Sequence, residues 1–246
     1  MRIMVINPNS TASMTAQIRK SAESCAGLGT VIEAANPIDT PRSIEGYADE
    51  ARAVPAMLDL IQEGQVRGAQ GFVIACFDDP GLAAAREVAR GPVVGICQAA
   101  VQVAVTIANR FSIVTTLPRS VPIIEDLVAS YGASARCRSV RAVNMPVLAL
   151  EAEPDVAETR LLQEIEAARD NDGAEVIILG CAGMSELCDR LAAKSGVPVI
   201  DGVVAAVKLV EGLVAGGYAT SKLGSYNFPR LKEESEQGAT CPVICA

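Results

Sequence analysis

Histidine is absent from all 246 residues of the chain. Ser-His-Asp and Cys-His catalysis are therefore excluded, as are metal sites with histidine ligands. Any acid–base chemistry must use Cys, Asp, Glu, Lys or Tyr side chains. Tryptophan is also absent and aromatic residues make up only 3% of the chain, so aliphatic side chains and alanine must fill the core.

Positive charge is scarce and does not form clusters. The net charge of −8 argues against nucleic acid and anionic membrane surfaces as partners. No apolar run reaches ~18 residues, so no transmembrane helix is expected. Neither a Walker A motif nor a G-x-G-x-x-G motif occurs, which argues against a nucleotide ligand.

The first residues, M-R-I-M-V-I-N, are typical of a strand and lack the extended apolar region and cleavage site of a signal peptide. We therefore expect a cytoplasmic protein whose eight cysteines are free thiols. No metal is expected, since the chain lacks histidine and zinc-finger-type cysteine pairs.

Short apolar runs alternate with alanine-rich stretches of helical type. The apolar runs predict strands at 2–6, 71–75, 92–96, 111–115, 140–143, 176–180 and 197–200. The intervening stretches predict helices at 11–25, 48–66, 80–89, 98–109, 120–131, 155–171, 184–195 and 203–216. This alternation predicts an α/β fold with mostly parallel sheets flanked by helices.

The same pattern occurs twice along the chain. Residues 68–76 match residues 173–181 without a gap, at an offset of 105 residues. The segments 92–94 and 198–200 also match, at an offset of 106. Chance similarity of apolar runs is the alternative explanation. A period this long predicts a duplicated lobe rather than a solenoid, whose repeats span ~20–50 residues.

We expect residues 1–100 and 203–230 to form an N-terminal lobe and residues 101–202 a second, pseudo-symmetric lobe. The polar composition of residues 231–246 predicts a disordered tail. In open α/β sheets, ligands bind beyond the carboxyl ends of the strands. Two facing lobes therefore place Cys76 and Cys181, each at a strand end, on opposite walls of one cleft.

Two facing thiols suit the inversion of a stereocentre beside a carbonyl group. A thiolate removes the proton from one face, and a thiol on the other face returns a proton. Each cysteine precedes a predicted helix start, where the helix dipole lowers a thiol pKa, although Asp78 and Asp79 raise it. Free backbone N–H groups at these turns would also stabilise an enolate oxygen.

A single free cysteine is most often a small buried apolar residue. We interpret Cys25, Cys97, Cys137 and Cys188 in that way. For Cys76 and Cys181 the matched setting favours catalysis.

Three polar segments are candidates for contacts with a small ligand. Residues 7–11 offer amide and hydroxyl groups, although a helix cap explains the same residues equally well. Thr115 and Thr116 match that segment in the second half, where a β-branched strand end is the alternative. Residues 39–46 have loop composition and predict a rim or lid.

The motifs N-P-N-S-T, I-A-C-F-D-D-P-G, V-T-T-L-P-R-S and L-G-C-A-G-M together resemble those of the hydantoin racemases in the aspartate/glutamate racemase superfamily. The resemblance covers nearly the whole chain to about residue 230. It implies two pseudo-symmetric α/β lobes, a homo-oligomer and a small-molecule hydantoin substrate. It also implies racemisation without a cofactor, with Cys76 and Cys181 as the two acid/base residues.

The resemblance extends to the residues expected to contact the substrate. Ile44, on the predicted rim, and the 116–121 loop are expected to select the 5-substituent. The family's pocket-lining positions correspond to Pro8, Asn9, Ser10, Phe77, Asp78, Thr115, Thr116, Ala182 and Gly183.

The chain departs from the glutamate racemase pattern immediately after each cysteine. Glutamate racemases follow the first cysteine with Asn-Thr and the second with Thr-His. Here the followers are Phe77-Asp78 and Ala182-Gly183. The groups that bind a free amino acid are missing, which favours a neutral cyclic imide or ureide.

Other functions remain open at the level of sequence. Allantoin racemase is the nearest, since allantoin is itself a hydantoin with a ureido group. A maleate-type isomerase also uses two cysteines, but no cationic pair to bind a dicarboxylate is evident. Arylmalonate decarboxylases keep one of the two cysteines, and a non-catalytic binding protein would bind without proton exchange.

Overall fold

The computed structural model describes residues 1–230 and shows alternating strands and helices in both halves of the chain. The predicted tail, residues 231–246, lies outside the described residues. The first half contains β1 (Arg2–Ile6), α1 (Ala12–Cys25), β2 (Val31–Ala35), α2 (Tyr47–Val66), β3 (Gly71–Ile74), α3 (Leu82–Val88), β4 (Val93–Gly95) and α4 (Ile96–Ile107).

The second half follows the same order of strands. It contains β5 (Phe111–Thr115), α5 (Val121–Ser130), β6 (Cys137–Ala142), α6 (Ala149–Ala152), α7 (Pro154–Asp170), β7 (Val176–Leu179), α8 (Cys188–Ser195), β8 (Val199–Ile200) and α9 (Gly202–Ala215). Short 3₁₀ helices occur at Pro118–Ser120, Ala182–Leu187 and Gly224–Tyr226.

Each half forms a four-stranded parallel sheet, and the two sheets have the same topology. The strand orders are β2-β1-β3-β4 and β6-β5-β7-β8. The inner strands β3, β5 and β7 are buried at every position, as expected for parallel strands covered by helices on both faces. The predicted α/β class, with two parallel sheets flanked by helices, is confirmed.

One strand of the first sheet is missing from the sequence prediction. The predicted helices at 11–25 and 48–66 are present, but the prediction misses β2, which lies between them and pairs with β1. β2 contains Glu33, Ala34 and Ala35, which are residue types depleted in strands. Its position at the sheet edge leaves it only partly buried, so it lacks a strong apolar signal.

The last helix of each half contacts the sheet of the other half. α4 packs against β7 and β8, whereas α9 packs on β3 and β4 and against α4. One apolar core consequently includes Val73 of the first sheet, Ile178 of the second and Val207 of α9. The division into lobes at residues 100 and 203 stays a prediction.

Glycine is needed where α9 approaches the first sheet. A Cβ atom at Gly71 in β3 would overlap Val210 Cγ1 of α9, with Val214 Cγ2 at 3.2 Å. The close approach lets α9 cover β3 without a gap. No helix within residues 1–230 is both long and apolar enough to span a membrane.

We expect Gly71→Ala to destabilise the protein by about 1–3 kcal/mol, because an extra methyl group overpacks the contact between β3 and α9. Gly212→Ala on the same helix is the matched control, since nothing lies within 4 Å of its Cβ position. This control should gain up to about 1 kcal/mol from helix propensity. Urea unfolding measures both, and equal stabilities would contradict the packing argument.

Candidate active site

Each of the two matched cysteines follows a buried inner strand by two residues. The N–H of Ala75 donates to Ile6 O at 2.8 Å, and the N–H of Gly180 donates to Val114 O at 2.8 Å. The pairing of β3 with β1 and of β7 with β5 therefore continues up to the residue before each cysteine. This backbone pairing holds both cysteines at the carboxyl edge of their sheets.

The chain then makes the same tight turn in both halves. The N–H of Asp79 donates to the Cys76 carbonyl at 3.1 Å, and the N–H of Met184 donates to the Cys181 carbonyl at 3.1 Å. These donors are 105 residues apart, like the cysteines themselves. The sequence repeat thus corresponds to a repeat of local backbone geometry.

Both cysteines line one small cavity with a volume of about 30 Å³. Its walls come from both halves of the chain. Nine of the twelve residues predicted for the site line it: Asn9, Ile44, Cys76, Phe77, Asp78, Thr115, Thr116, Cys181 and Ala182. The structure therefore brings most of the predicted residues together, and their roles stay predictions.

Three predicted residues are not among those that line the cavity. Ser10 donates its hydroxyl to Thr40 O at 2.8 Å and so holds the 36–46 loop in place. Gly183 follows Cys181 by two residues, and its backbone N–H lowers the pKa of the Cys181 thiol. Pro8, two residues after β1, is buried. A direct contact of these three with substrate stays a prediction.

Five residues that line the cavity were not predicted as site residues: Met14, Ala75, Ser120, Val147 and Gly180. Ala75, Ser120 and Gly180 lie in or beside the motifs that the sequence repeat identifies, so the sequence could have indicated them as site residues. Met14 and Val147 come from α1 and from the loop before α6. Nothing in their local sequence distinguishes them from core residues.

Asn9 is held in the cavity wall by its own loop. Its Oδ1 accepts from Asn7 Nδ2 at 2.9 Å and from the N–H of Thr11 at 2.9 Å. Asn7 also donates to Thr15 Oγ1 at 3.0 Å. Asn9 therefore holds the turn before α1 and lines the cavity. The helix-cap interpretation is wrong, because the N-cap of α1 is Thr11 and no side chain makes a cap hydrogen bond there.

The loop before α2 closes over the cavity from the first half. Ile44 is 6% exposed and lines the cavity. The neighbouring Glu45 accepts the N–H of Val147 through Oε1 at 2.9 Å, which connects this loop to the second half.

Burial raises the pKa of both thiols. For Cys76, burial and then the negative charge of Asp78 hold the pKa well above its usual range, although the N–H of Asp78 opposes them. For Cys181, burial raises the pKa to about 12, and the N–H of Gly183 opposes the increase. The expected lowering by helix starts is wrong, because the loss of thiolate hydration outweighs these N–H groups.

Asp78 is the acidic residue among the described residues that line the cavity. Burial, and then the charges of Glu50 and Asp79, raise its pKa to about 7. Because that value lies well below those of the thiols, Asp78 loses its proton before either thiol as the pH rises. None of the described residues that line the cavity is basic.

Comparison with known proteins agrees with this geometry. Residues 3–210 match the Asp/Glu/Hydantoin racemase family. A hydantoin racemase from Rhizobium meliloti is 65% identical over 232 residues, which cover 94% of this chain and 96% of that relative.

Solved structures show the same architecture. Allantoin racemase from Klebsiella pneumoniae has a TM-score of 0.93 at 47% identity, over 96% of this chain and 97% of that chain. Glutamate racemase from Francisella tularensis has a TM-score of 0.63 at 17% identity, over 88% of this chain and 81% of that chain, and shares the fold alone. The match over most of the sequence shows that the chain belongs to the Asp/Glu/Hydantoin racemase family and is a racemase.

Proposed function

We propose that this racemase inverts C5 of 5-substituted hydantoins by proton transfer between two cysteines, without a cofactor. One observation carries the proposal: Cys76 and Cys181 leave equivalent strand ends of two sheets with the same topology and line one cavity. The two thiols are close enough for charge on Cys181 to raise the pKa of Cys76. The 65% identity to a hydantoin racemase supports the substrate class.

The proposed reaction is balanced in protons and electrons. The thiolate of one cysteine forms an S–H bond with the C5 proton, and the C–H electron pair moves into the enolate. The thiol of the other cysteine then gives its proton to the opposite face of C5 and becomes a thiolate. The two cysteines have exchanged roles, and no oxidant or reductant is consumed.

The polar groups of the cavity suit a neutral ring with N–H donors. A free amino acid brings a carboxylate, for which the described cavity lining offers no basic partner. A hydantoin instead carries ring N–H groups, and Asp78 is an acceptor for one of them. The imide carbonyl beside C5 makes the proton more acidic than that of a free amino acid, so weaker bases suffice.

Substrate binding also lowers the raised pKa values of the two thiols. The Asp78 carboxylate is the largest charge that opposes thiolate formation at Cys76 and at Cys181. An N–H group that donates to Asp78 offsets part of that charge and so lowers the pKa of both thiols. The thiolate therefore forms more readily with a hydantoin bound.

Allantoin is the second candidate substrate, because the allantoin racemase structure is 47% identical with a TM-score of 0.93. The cavity lining favours an apolar 5-substituent instead, since Ile44, Phe77 and Val147 contribute apolar side chains. The ureido group of allantoin loses hydrogen bonds against such a surface. A homo-oligomeric state and a cytoplasmic location stay predictions.

Cys76→Ser and Cys181→Ser should each reduce racemisation by at least about 10²-fold, because each variant lacks one acid/base group. Single enantiomers of 5-isopropylhydantoin and of allantoin are incubated in deuterium oxide, and optical rotation and deuterium uptake are followed. Wild type should racemise the alkyl hydantoin faster than allantoin, with deuterium at C5.

Cys188→Ser is the matched control, because this half-buried thiol of α8 lies outside the cavity and donates only to Val199 O, a bond that serine can keep. It should retain full activity. Activity in either Cys76→Ser or Cys181→Ser equal to that of the control would overturn the two-cysteine mechanism. If the enzyme turns over allantoin faster, allantoin and not the alkyl hydantoin is the preferred substrate.

Asp78→Asn should make both cavity thiols react faster with iodoacetamide at a given pH. The carboxylate raises both thiol pKa values, so its removal lowers them and increases the thiolate fraction that reacts. Peptide mass spectrometry follows each cysteine separately across a pH series. Asp59→Asn, an exposed position on α2, is the control, and an unchanged or slower rate in Asp78→Asn would contradict the charge argument.

A further inference from the structure

Both cysteine turns lie beside the N-terminus of a helix that reaches the other sheet. Position 95, before α4, and position 201, before α9, correspond at the 106-residue offset of the repeat. Their backbone angles are similar, with φ −86° and ψ 149° at Gly95 and φ −85° and ψ 119° at Asp201. The two positions are therefore equivalent N-caps, and Gly95 is the one that has no side chain to cap its helix.

At α9 the cap is conventional. Asp201 accepts the N–H of Val203 at 2.7 Å through Oδ1. The same carboxylate accepts the hydroxyl of Ser185 at 3.0 Å and the hydroxyl of Ser21 at 2.8 Å. We call this set the Asp201 bridge, and it connects the α9 cap to the segment after Cys181 and to α1.

At α4 the carboxylate comes from a different place in the sequence. Asp79, within the turn after Cys76, accepts the N–H of Cys97 at 3.1 Å and the N–H of Gln98 at 2.8 Å. A Cβ atom at Gly95 would overlap this carboxylate. Glycine at position 95 thus leaves the space into which Asp79 reaches.

The third partner of this carboxylate is again a hydroxyl group from the other half of the chain. Tyr131, directly after α5, donates to Asp79 Oδ2 at 2.7 Å, as Ser21 of α1 donates to Asp201. We call this set of contacts the Asp79 bridge. Each bridge therefore joins a cysteine turn, the N-terminus of the crossing helix and the other half of the chain.

Capping alone does not explain the Asp79 bridge. An aspartate at position 95 would cap α4 as Asp201 caps α9, without further cost. Instead, Asp79 is a non-glycine residue at φ 44°, and it is only 4% exposed. Both features are unfavourable unless the surroundings hold them in place. What the arrangement adds is a rigid connection from the α4 N-terminus to the turn that carries Cys76.

We propose that Asp79, and Ser185 with Asp201, are positioning residues that hold Cys76 and Cys181 at the distance and angle required for proton transfer. The inference rests on the proposed two-cysteine function. None of these three residues needs to touch the substrate. Loss of a bridge should lower kcat and leave KM nearly unchanged, since binding depends on other groups of the cavity.

The decisive comparison separates capping from positioning. Asp79→Ala should lower Tm by about 3–6 °C through the lost cap, and lower kcat by about 10- to 100-fold. The double variant Asp79→Ala/Gly95→Asp moves the carboxylate to the N-cap, as in the second half. It should return Tm to within about 2 °C of wild type while kcat stays low. Recovery of kcat together with Tm would show that Asp79 acts only as a cap.

The second half offers a pair of variants that remove one hydrogen bond each from the same carboxylate. Ser185→Ala cuts the connection to the segment after Cys181, whereas Ser21→Ala cuts the connection to α1. Both keep the Asp201–Val203 cap, so both should keep Tm within about 2 °C. Only Ser185→Ala should lower kcat, by about tenfold; equal kcat in the two variants would overturn the proposal for Cys181.

Hydrogen exchange gives a readout that does not depend on the substrate. In Asp79→Ala/Gly95→Asp, amides 77–79 should exchange faster than in wild type, while the first turn of α4 stays protected. Unchanged exchange in the turn would refute the positioning role even if the wild type turned over no hydantoin. Failure of the proposed function is recognised separately, by a wild type that neither racemises nor exchanges hydantoins.

Discussion

The site depends above all on the backbone pairing that extends the inner strands to the residue before each cysteine. The bonds from Ala75 to Ile6 and from Gly180 to Val114 give both thiols the same place relative to their sheets. Parallel pairing makes this possible, because carboxyl ends of neighbouring strands lie at one edge. The turns, the 3₁₀ helix and the loops that complete the cavity are all built from that edge.

The duplicated halves are made into one site by the helices that cross between them. α4 and α9 each leave one sheet and contact the other, so one apolar core contains side chains from both halves. The Asp79 and Asp201 bridges occur where these helices begin. The two bridges make equivalent contacts, although their carboxylates come from non-equivalent positions in the repeat.

Burial and charge in the cavity control how readily the two thiols lose their protons. Burial makes thiolates unfavourable, Asp78 makes them more so, and backbone N–H groups of Asp78 and Gly183 partly compensate. In the proposed reaction, a neutral hydantoin that donates an N–H group to Asp78 would relieve part of this cost, whereas a free amino acid would add a carboxylate to an already acidic site. Under that proposal, substrate class and thiol reactivity both follow from the charge of Asp78.

The α/β class, the duplication and the two cysteines were available from the sequence alone, because apolar runs and an ungapped repeat at 105 residues are local patterns. β2 was not, because an edge strand with Glu33, Ala34 and Ala35 depends on pairing with β1 rather than on its own composition. Met14 and Val147 in the cavity, the raised thiol pKa values and the Asp79 carboxylate in the space left by Gly95 were decided only by tertiary structure. Each depends on burial or on contacts between residues distant in the chain, for which no local signal exists.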